Sequence, residues 1–487
     1  MSELKNIAIG GTNGVLVEQL SKMSNRHGLI AGATGTGKTV TLQILAESFS
    51  RLGVPVFTAD IKGDLSGLAS AGSPHPKIDE RLLNIPLKNY QQRPYPVVFW
   101  DIFGKNGHPI RSTISEMGPL LLTNLLDLND TQSGILYGCF KIADDQGLLL
   151  LDLKDLRSML RWMSNNANKL QGEYGNISSS SIGAIQRRLL VLEEQGAEHF
   201  FGEPAVKLSD LMQVDFSGNG VISIFDATKL MVQSPRVYSS FLLWLLSELF
   251  EQLPEIGDPD KPKLVLFLDE AHLLFDQAPK ILVDKIEQVV RLIRSKGVGI
   301  YFITQSPLDI PEDILGQLGL KIQHALRAFT PKDIKVIKSV AQSFPPNPEF
   351  DTKTLITALG VGEALVSVLD NKGRPLPVQH TLIRPPESRI GPLSEEDRQD
   401  RIERSPLKGR YDNVVDRNSA YEILKDRAKE IEAQQDEVDS QKTKPTKGRR
   451  KQSTGEVFIK SATRAIGSQI GRQIIRGIMG SLFGGRR

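Results

Sequence analysis

The stretch Gly32-Ala33-Thr34-Gly35-Thr36-Gly37-Lys38-Thr39 decides the fold of this 487-residue chain. It matches G-x-x-x-x-G-K-[ST], and it lies between an apolar strand predicted at His27–Ala31 and the start of a predicted helix, which is the context that a phosphate-binding loop requires. The glycines let several backbone N–H groups face one anion, and the helix points its positive end at the same anion. We therefore predict that these eight residues bind ATP, with Lys38 reaching the β- and γ-phosphates and Thr39 binding Mg²⁺.

Polar residues follow two further predicted strands. The buried strand Leu264–Leu268 runs into Asp269 and Glu270. We expect Asp269 to hold Mg²⁺, mainly through its water shell, and Glu270 to take the proton from the attacking water. Both residues can alternatively serve only as a cap for the next helix. The strand predicted at Ile300–Thr304 is followed by Gln305, which is either a sensor of the γ-phosphate or an ordinary glutamine at a strand end.

The hydrophobic pattern around these motifs predicts an α/β fold with a mostly parallel sheet, because strands alternate with helices. The predicted strands are His27–Ala31, Val54–Ala59, Pro96–Trp100, Val221–Phe225, Leu264–Leu268, Ile300–Thr304, Lys321–Leu326, Ala364–Leu369 and Val378–Ile383. The clearest predicted helices are Val237–Glu251, Ile281–Ser295 and one within Ser178–Gly196. Residues 112–200 carry apolar residues at helical spacing and no strand pattern, and residues 70–95 are predicted to form a loop.

These patterns divide the chain into segments. They are a short N-terminal hairpin with a turn at Asn13-Gly14 (1–24), a core in two parts (25–101 and 221–390), a helical insertion (102–220), a polar linker with a short helix near Ala420–Ala433 (391–456), and a basic amphipathic helix (457–487). The polar composition of 442–453 predicts disorder in part of the basic C-terminal tail.

The composition is that of a water-soluble globular protein, with 40% apolar and 24% charged residues. No apolar run reaches the length of about 18 residues that a membrane-spanning helix needs, and residues 1–6 do not resemble a signal peptide. The single cysteine, Cys139, excludes a disulfide framework. We therefore expect a cytoplasmic location.

The charge is distributed unevenly along the chain. Residues 441–487 contain twelve Lys and Arg residues and one acidic residue, Glu456, which leaves a net charge of −8 on the other 440 residues. Residues 457–483 also carry apolar side chains at helical spacing. Three interpretations stay open for this segment: a helix that docks on the protein itself or on a partner, a helix on a membrane surface, and a basic arm for DNA. Its interrupting glycines favour docking, because they permit close approach to another surface.

The motifs GATGTGKT, LVLFLDEAH and YFITQS together resemble the HerA–FtsK superfamily of ring-forming, DNA-pumping ATPases. Within it, the chain is similar nearly from end to end to bacterial HerA-like proteins of uncharacterised function, through phrases such as RLIRSKGVG and GSLFGGRR. The resemblance implies a RecA-like P-loop NTPase core, a homo-oligomeric ring that is usually hexameric, and ATP-driven movement along duplex DNA.

The resemblance also implies roles for individual residues. Lys38 and Thr39 stand at the Walker A positions, Asp269 and Glu270 at the Walker B positions, and Gln305 at the sensor position.

Two arginines complete the implied site. Arg294 lies eleven residues before Gln305, where relatives keep an arginine that reaches the γ-phosphate of the neighbouring subunit. Arg26 resembles a second arginine, which acts on the nucleotide of its own subunit. For both residues the alternative is an ordinary surface ion pair.

Two other functions compete with DNA translocation. Residues 269–272 spell DEAH, the label of a helicase class with two RecA-like domains in one chain, but the 182 residues after Gln305 are too few and too polar for a second such domain. An ATP-driven motor or switch that acts on protein is the stronger alternative, because the body of the chain is acidic and we find no aromatic residues clustered with basic ones outside the tail. ATP hydrolysis that is stimulated by DNA and sensitive to salt would separate these functions.

Overall fold

The structure is a computed structural model that describes residues 6–12, 14–87, 89–276 and 280–442. These residues form two compact units. One contains the described parts of 1–111 and 204–414, and the other contains 112–203 and the described part of 415–487. The amphipathic segment at 457–487, its three interpretations and the predicted disorder in the tail lie outside the described residues.

A twelve-stranded sheet organises the first unit. Its strands are β1 (Asn6–Thr12), β2 (Val15–Leu20), β3 (Gly28–Ala31), β4 (Val56–Asp60), β5 (Val97–Asp101), β6 (His108–Pro109), β7 (Ile222–Asp226), β8 (Leu264–Leu268), β9 (Val298–Thr304), β10 (Leu320–Gln323), β11 (Glu363–Ser367) and β12 (Gln379–Ile383). The order across the sheet is β2-β1-β12-β11-β10-β3-β9-β8-β4-β7-β5-β6. Neighbouring strands from β10 to β6 are parallel, and the remaining pairs are antiparallel. The prediction of a mostly parallel α/β sheet in a RecA-like core is confirmed.

Helices connect many strands of this sheet and form most of the second unit. The α-helices are α1 (Lys38–Arg51), α2 (Pro76–Asn84), α3 (Ile114–Leu125), α4 (Asp130–Asp145), α5 (Leu153–Asn165), α6 (Ala167–Tyr174), α7 (Ser179–Glu194), α8 (Leu208–Leu211), α9 (Thr228–Gln233), α10 (Pro235–Gln252), α11 (Lys280–Ile293), α12 (Glu312–Leu315), α13 (Pro331–Gln342), α14 (Thr352–Ala358), α15 (Glu395–Glu403) and α16 (Ala420–Lys442). In the described residues, no helix is both long and apolar enough to cross a lipid bilayer.

The core of the sheet holds the phosphate loop in place. Strands β3, β4, β7, β8 and β9 are buried at every residue, as expected for parallel strands covered on both faces. On α1, the Phe49 ring packs against Phe267 of β8 and Tyr301 of β9, with ring centroids 6.3 and 5.6 Å apart. These contacts fix the helix that follows the phosphate loop relative to the strands that carry the other predicted site residues.

Residues 70–95 are not only a loop, because they contain α2. The prediction of a loop throughout this stretch is therefore wrong. The sequence does carry a short helical signal, because Ile78 and Leu82 are four residues apart, but none of the nine residues of α2 is buried. Pro76 at its first turn and His75, which accepts a hydrogen bond from the Lys77 backbone N–H, start the helix.

The part of the helical unit that corresponds to the predicted insertion at 102–220 is shorter, covering residues 112–203, because β6 and α8 belong to the sheet unit. The helical unit also contains α16, which packs against α5. Buried Asp155 of α5 accepts hydrogen bonds from the Ser419 hydroxyl and the Tyr421 backbone N–H at the start of α16.

Part of the predicted linker at 391–456 is folded. Residues 391–414 belong to the sheet unit, where Tyr411 is buried and its ring centroid lies 5.3 Å from that of Trp100. In the same unit, Arg398 of α15 donates a hydrogen bond to Asp226 at the end of β7.

Candidate active site

The phosphate loop depends on backbone conformations that favour glycine. Gly32, Gly35 and Gly37 have φ angles of 151°, 77° and 116°. A Cβ atom on Gly32 would lie 2.5 Å from the Cβ of His324, so no larger residue fits there without displacing its neighbours. The loop connects β3 to α1 and leaves the first turn of α1 facing the site.

Lys38 is buried beside this loop and 6% exposed. Its Nζ donates hydrogen bonds to the carbonyl oxygens of Gly32 at 2.6 Å and Ala33 at 3.0 Å. Burial lowers the pKa of Lys38 and so does the positive charge of Lys62, whereas the acidic Glu270 and Asp269 oppose this shift. The ammonium group is therefore held at the loop, within the electrostatic reach of the acidic pair.

Asp269 and Glu270 follow β8 at the same edge of the sheet. Burial raises the pKa of Asp269 to about 6, and the charge of Lys62 opposes that shift. One oxygen of Asp269 accepts a hydrogen bond from the Glu270 backbone N–H at 3.0 Å. Tyr238 of α10 donates to the backbone carbonyl of Asp269 at 3.1 Å, which anchors the end of the strand.

The carboxylate of Glu270 lies between two basic side chains. Its Oε1 is 3.6 Å from the Nζ of Lys62, and its Oε2 is 3.5 Å from the Nδ1 of His272. The side chain is only 13% exposed. A carboxylate that is shielded from solvent and close to the phosphate loop can act as a general base.

Lys62 was not predicted from the sequence. It follows β4, which pairs with β8, and the carboxyl ends of these parallel strands meet at one edge. The signal that could have revealed it is the series of charged residues Asp60, Lys62 and Asp64 at the end of a buried strand.

Gln305 follows β9, which lies between β3 and β8. Its side chain is exposed and lines a cavity of about 1360 Å³ that it shares with Ala33 of the phosphate loop and His272. The structure thus brings Gln305 to the edge that carries the loop and the acidic pair.

His324, which was not predicted from the sequence as a site residue, contacts the helix that follows the phosphate loop. Its Nε2 lies 2.8 Å from the Thr41 hydroxyl of α1, and its Nδ1 lies 2.9 Å from the carbonyl oxygen of Glu363. Burial lowers the pKa of His324 to about 4, so the ring is neutral at pH 7. Backbone hydrogen bonds from Ala33 to the Ala325 carbonyl and from Gly362 to the Thr36 carbonyl join the same segments to the loop.

The two arginines lie at the opposite edge of the sheet. Arg26 lies two residues before the start of β3, and Arg294 lies in a short turn before β9, so both are at the amino ends of strands whose carboxyl ends face the site. Arg294 donates a hydrogen bond to Asp258 at 2.8 Å, and this bond lowers the pKa of Asp258. The positive charge of Arg26 acts on Asp258 in the same direction. The structure therefore brings Arg26 together with Arg294 and away from Lys38 of the same chain.

The residues predicted to hold Mg²⁺ fit this metal. Within the described residues, no group of three or more His, Cys, Asp or Glu side chains is arranged to hold an ion without other ligands. Mg²⁺ does not need such a group beside a nucleotide, because it keeps several waters and takes phosphate oxygens together with one or two protein oxygens. Thr39 in the first turn of α1 and the half-buried side chain of Asp269 offer two oxygens of this kind.

Comparisons with known proteins place the chain in a family. The protein described as DNA double-strand break repair helicase HerA from Sulfurisphaera tokodaii is 22% identical over 358 residues, which cover 70% of this chain and 62% of that protein. The chain thus spans less than two thirds of that relative. VirB4 of Thermoanaerobacter pseudethanolicus has the same fold, with a TM-score of 0.51 and 17% identity over 79% of this chain and 97% of that chain. The plasmid coupling protein TrwB in complex with a non-hydrolysable ATP analogue gives a TM-score of 0.48 at 18% identity, covering 80% and 93% of the two chains. A model of the helicase HerA-like C-terminal family matches residues 6–487, and this chain belongs to that family.

Proposed function

We propose that this protein is an ATP-hydrolysing ring motor that moves along duplex DNA. The observation that carries the proposal is the meeting of Lys38, Asp269, Glu270 and Gln305 at one edge, after the three adjacent strands β3, β8 and β9. Lys38 and Asp269 suit a triphosphate and its metal, and Glu270 and Gln305 suit the activation of water.

Each residue has a defined task in this proposal. The backbone N–H groups of the phosphate loop and the ammonium of Lys38 bind the phosphates. Thr39 and Asp269 would hold Mg²⁺, which when bound offsets negative charge on the phosphates. Glu270 accepts the proton of the water that attacks the γ-phosphate, and Gln305 orients that water.

The position of the arginines supports a ring. Even the short strand β3 spans about 13 Å at a rise of roughly 3.3 Å per residue, so Arg294 and Arg26 lie far from the phosphate loop of their own chain. We propose that Arg294 reaches the γ-phosphate bound by a neighbouring copy. For Arg26 this geometry favours the same neighbour over the nucleotide of its own chain, which differs from the role that the resemblance implies.

An exposed basic surface on α13 supports DNA as the substrate. Lys332, Lys335 and Lys338 are exposed at a spacing of three residues, and the neighbouring Phe329 is 88% exposed. Lysines bind DNA phosphates, and an exposed aromatic ring can contact bases or sugars. Our expectation that aromatic and basic residues are not clustered outside the tail is therefore wrong at this surface.

The test measures steady-state ATP hydrolysis with and without duplex DNA over a range of salt concentrations, together with the mass of the particle. We expect stimulation by DNA that weakens steeply with salt, because phosphate contacts release counterions, and a mass that is a multiple of the chain, with six copies as the first expectation. The double variant Lys335→Glu/Lys338→Glu is expected to lose stimulation and keep basal hydrolysis. The control, Lys141→Glu/Lys169→Glu, makes the same charge change at exposed lysines of the helical unit.

Hydrolysis that DNA leaves unchanged at every salt concentration would contradict the DNA motor. It would favour the alternative of an ATP-driven motor or switch that acts on protein partners.

A further inference from the structure

The loop after β4 presents a second lysine to the phosphate site. The Nζ of Lys62 is 3.6 Å from the Oε1 of Glu270, and its side chain is 39% exposed. The charge of Lys62 lowers the pKa of both Lys38 and Asp269, which places its ammonium group in the electrostatic range of both residues. Lys62 is therefore part of the cluster that contains the phosphate loop lysine and the acidic pair.

The backbone around Lys62 is fixed. The buried carboxylate of Asp60 accepts hydrogen bonds from the backbone N–H groups of Gly63 at 2.7 Å, Asp64 at 3.2 Å and Leu65 at 3.0 Å. Gly63 has a φ of 76°, which favours glycine, and a Cβ there would lie 3.2 Å from Thr228. These contacts hold the base of Lys62 at the carboxyl edge of the sheet.

The two ammonium groups of this cluster interact with each other. Lys62 and Lys38 repel each other, so the charge of Lys62 lowers the pKa of Lys38, whereas Glu270 and Asp269 oppose this shift. A phosphate group between two ammonium groups removes this repulsion and forms charge-assisted hydrogen bonds. The general base lies next to the attacked phosphate, so a lysine 3.6 Å from Glu270 is within reach of the γ-phosphate.

We propose that Lys62 binds the γ-phosphate of ATP and positions the carboxylate of Glu270 beside it. This inference rests on the proposed ATPase function. It deepens that function, because it names the residue with which the site distinguishes ATP from ADP.

The test compares the binding of a non-hydrolysable ATP analogue and of ADP, each with Mg²⁺, to the full chain and to Lys62→Met. We expect the analogue to bind about tenfold more weakly or worse, as for the loss of one charge-assisted hydrogen bond. The affinity for ADP is expected to stay within about twofold, because ADP has no γ-phosphate. Lys62→Arg keeps the charge and is expected to restore most of the discrimination, and the exposed Lys141→Met serves as a control for the loss of a lysine.

Two results would overturn the inference: equal losses of affinity for both nucleotides, which mean a purely structural role, and unchanged affinity for both. Thermal unfolding of each variant verifies folding, and Lys62→Gln replaces Lys62→Met if the latter does not fold. Lys38→Met in the same assay separates the two levels of the proposal. This variant is expected to lose affinity for both nucleotides, and full binding by it would refute the ATPase site itself. If Lys38→Met loses binding but Lys62→Met still distinguishes ATP from ADP, only the role of Lys62 is refuted.

Discussion

Glu270 combines a left-handed backbone with a carboxylate that is enclosed by basic groups. Its φ and ψ angles are 47° and 50°, a conformation that costs a non-glycine residue of order 1–3 kcal/mol. The conformation turns the chain directly after β8, and the carboxylate then lies between Lys62 and His272. Such strain is typical of functional sites, since the surrounding fold must compensate it.

The first prediction is that Glu270→Gln binds ATP with nearly normal affinity and hydrolyses it very slowly. The amide keeps the size and shape of the side chain but cannot accept the proton of the attacking water. We expect a loss of at least about 10²-fold in turnover, the lower bound for removal of a general base. Single-turnover hydrolysis and equilibrium ATP binding measure the two effects. A variant that fails to bind ATP would show that Glu270 is structural or a metal ligand.

The second prediction concerns His324, whose pKa falls from 6.5 to about 4 because burial disfavours its charged form. As the pH falls through this range, the unfolded chain binds a proton before the folded chain does, so the stability that comes from neutral His324 is lost. Replacement by Gln removes this titration. The destabilisation caused by His324→Gln should therefore be largest above pH 6.5 and should shrink by roughly 3 kcal/mol toward pH 4. Urea unfolding of both proteins at several pH values measures the difference, and a difference that does not change with pH would contradict the assignment.

At the scale of elements, one face of α1 forms hydrogen bonds and ion pairs with the segment that follows β12. Gln43 donates to the Ser388 hydroxyl at 2.7 Å. Buried Glu47 accepts from the Ser388 backbone N–H at 2.9 Å and from the Arg384 guanidinium at 3.1 Å. Arg51 pairs with Glu387 at 2.8 Å. The helix that carries the phosphate loop is thus held both by the sheet and by this segment.

The third prediction is that Glu47→Leu lowers the free energy of unfolding by about 3–5 kcal/mol, because Arg384 keeps its charge in a buried place without a carboxylate partner. Arg384 is 4% exposed. The double variant Glu47→Leu/Arg384→Met is expected to regain much of the loss, since it removes the unpaired charge. Denaturant unfolding measures all three proteins. A single variant that loses less than about 1 kcal/mol would show that the pair contributes little.

The elements differ in how well the sequence predicts them. Strands such as β8 and β9 were predicted within two residues, because buried parallel strands have continuous apolar runs. Several helices were not predicted, among them α2, α13, α14 and α15. These helices bury few residues: α2 buries none, α14 only Ile356 and α15 only Ile402. A small number of core-facing residues gives helical periodicity a weak signal, and the capping residues that start these helices are common in loops as well.

At the scale of the whole molecule, the order of the strands decides which motifs meet. The local motifs predicted Lys38, Asp269 and Glu270 as site residues, because each follows a buried strand in a recognisable pattern. Lys62 and His324 escaped prediction, since their contacts with Glu270 and Thr41 join segments more than two hundred residues apart. The distance of Arg26 from the phosphate loop of its own chain likewise follows from the edge of the sheet at which Arg26 lies. This edge is a property of the whole fold, and a short motif does not contain it.

The separation of the two edges has a consequence for assembly. The phosphate loop at one edge and Arg294 at the other lie apart within one chain, but in the proposed ring they meet between two copies arranged head to tail, an arrangement that closes when its rotation permits it. The central claim is therefore that each hydrolysis site is shared between two copies of this chain.

Mixing two inactive variants tests this claim most directly. Lys38→Ala lacks the phosphate-binding lysine, and Arg294→Ala lacks the arginine, whose loss is expected to cost about 10³–10⁵-fold in rate. In an equal mixture that assembles at random, roughly a quarter of the interfaces combine an intact phosphate loop with an intact arginine. The measurement is the ATPase rate of mixtures that mass analysis shows to be co-assembled. We predict a rate well above the sum of the two separate variants. A rate equal to that sum would contradict a site shared between copies.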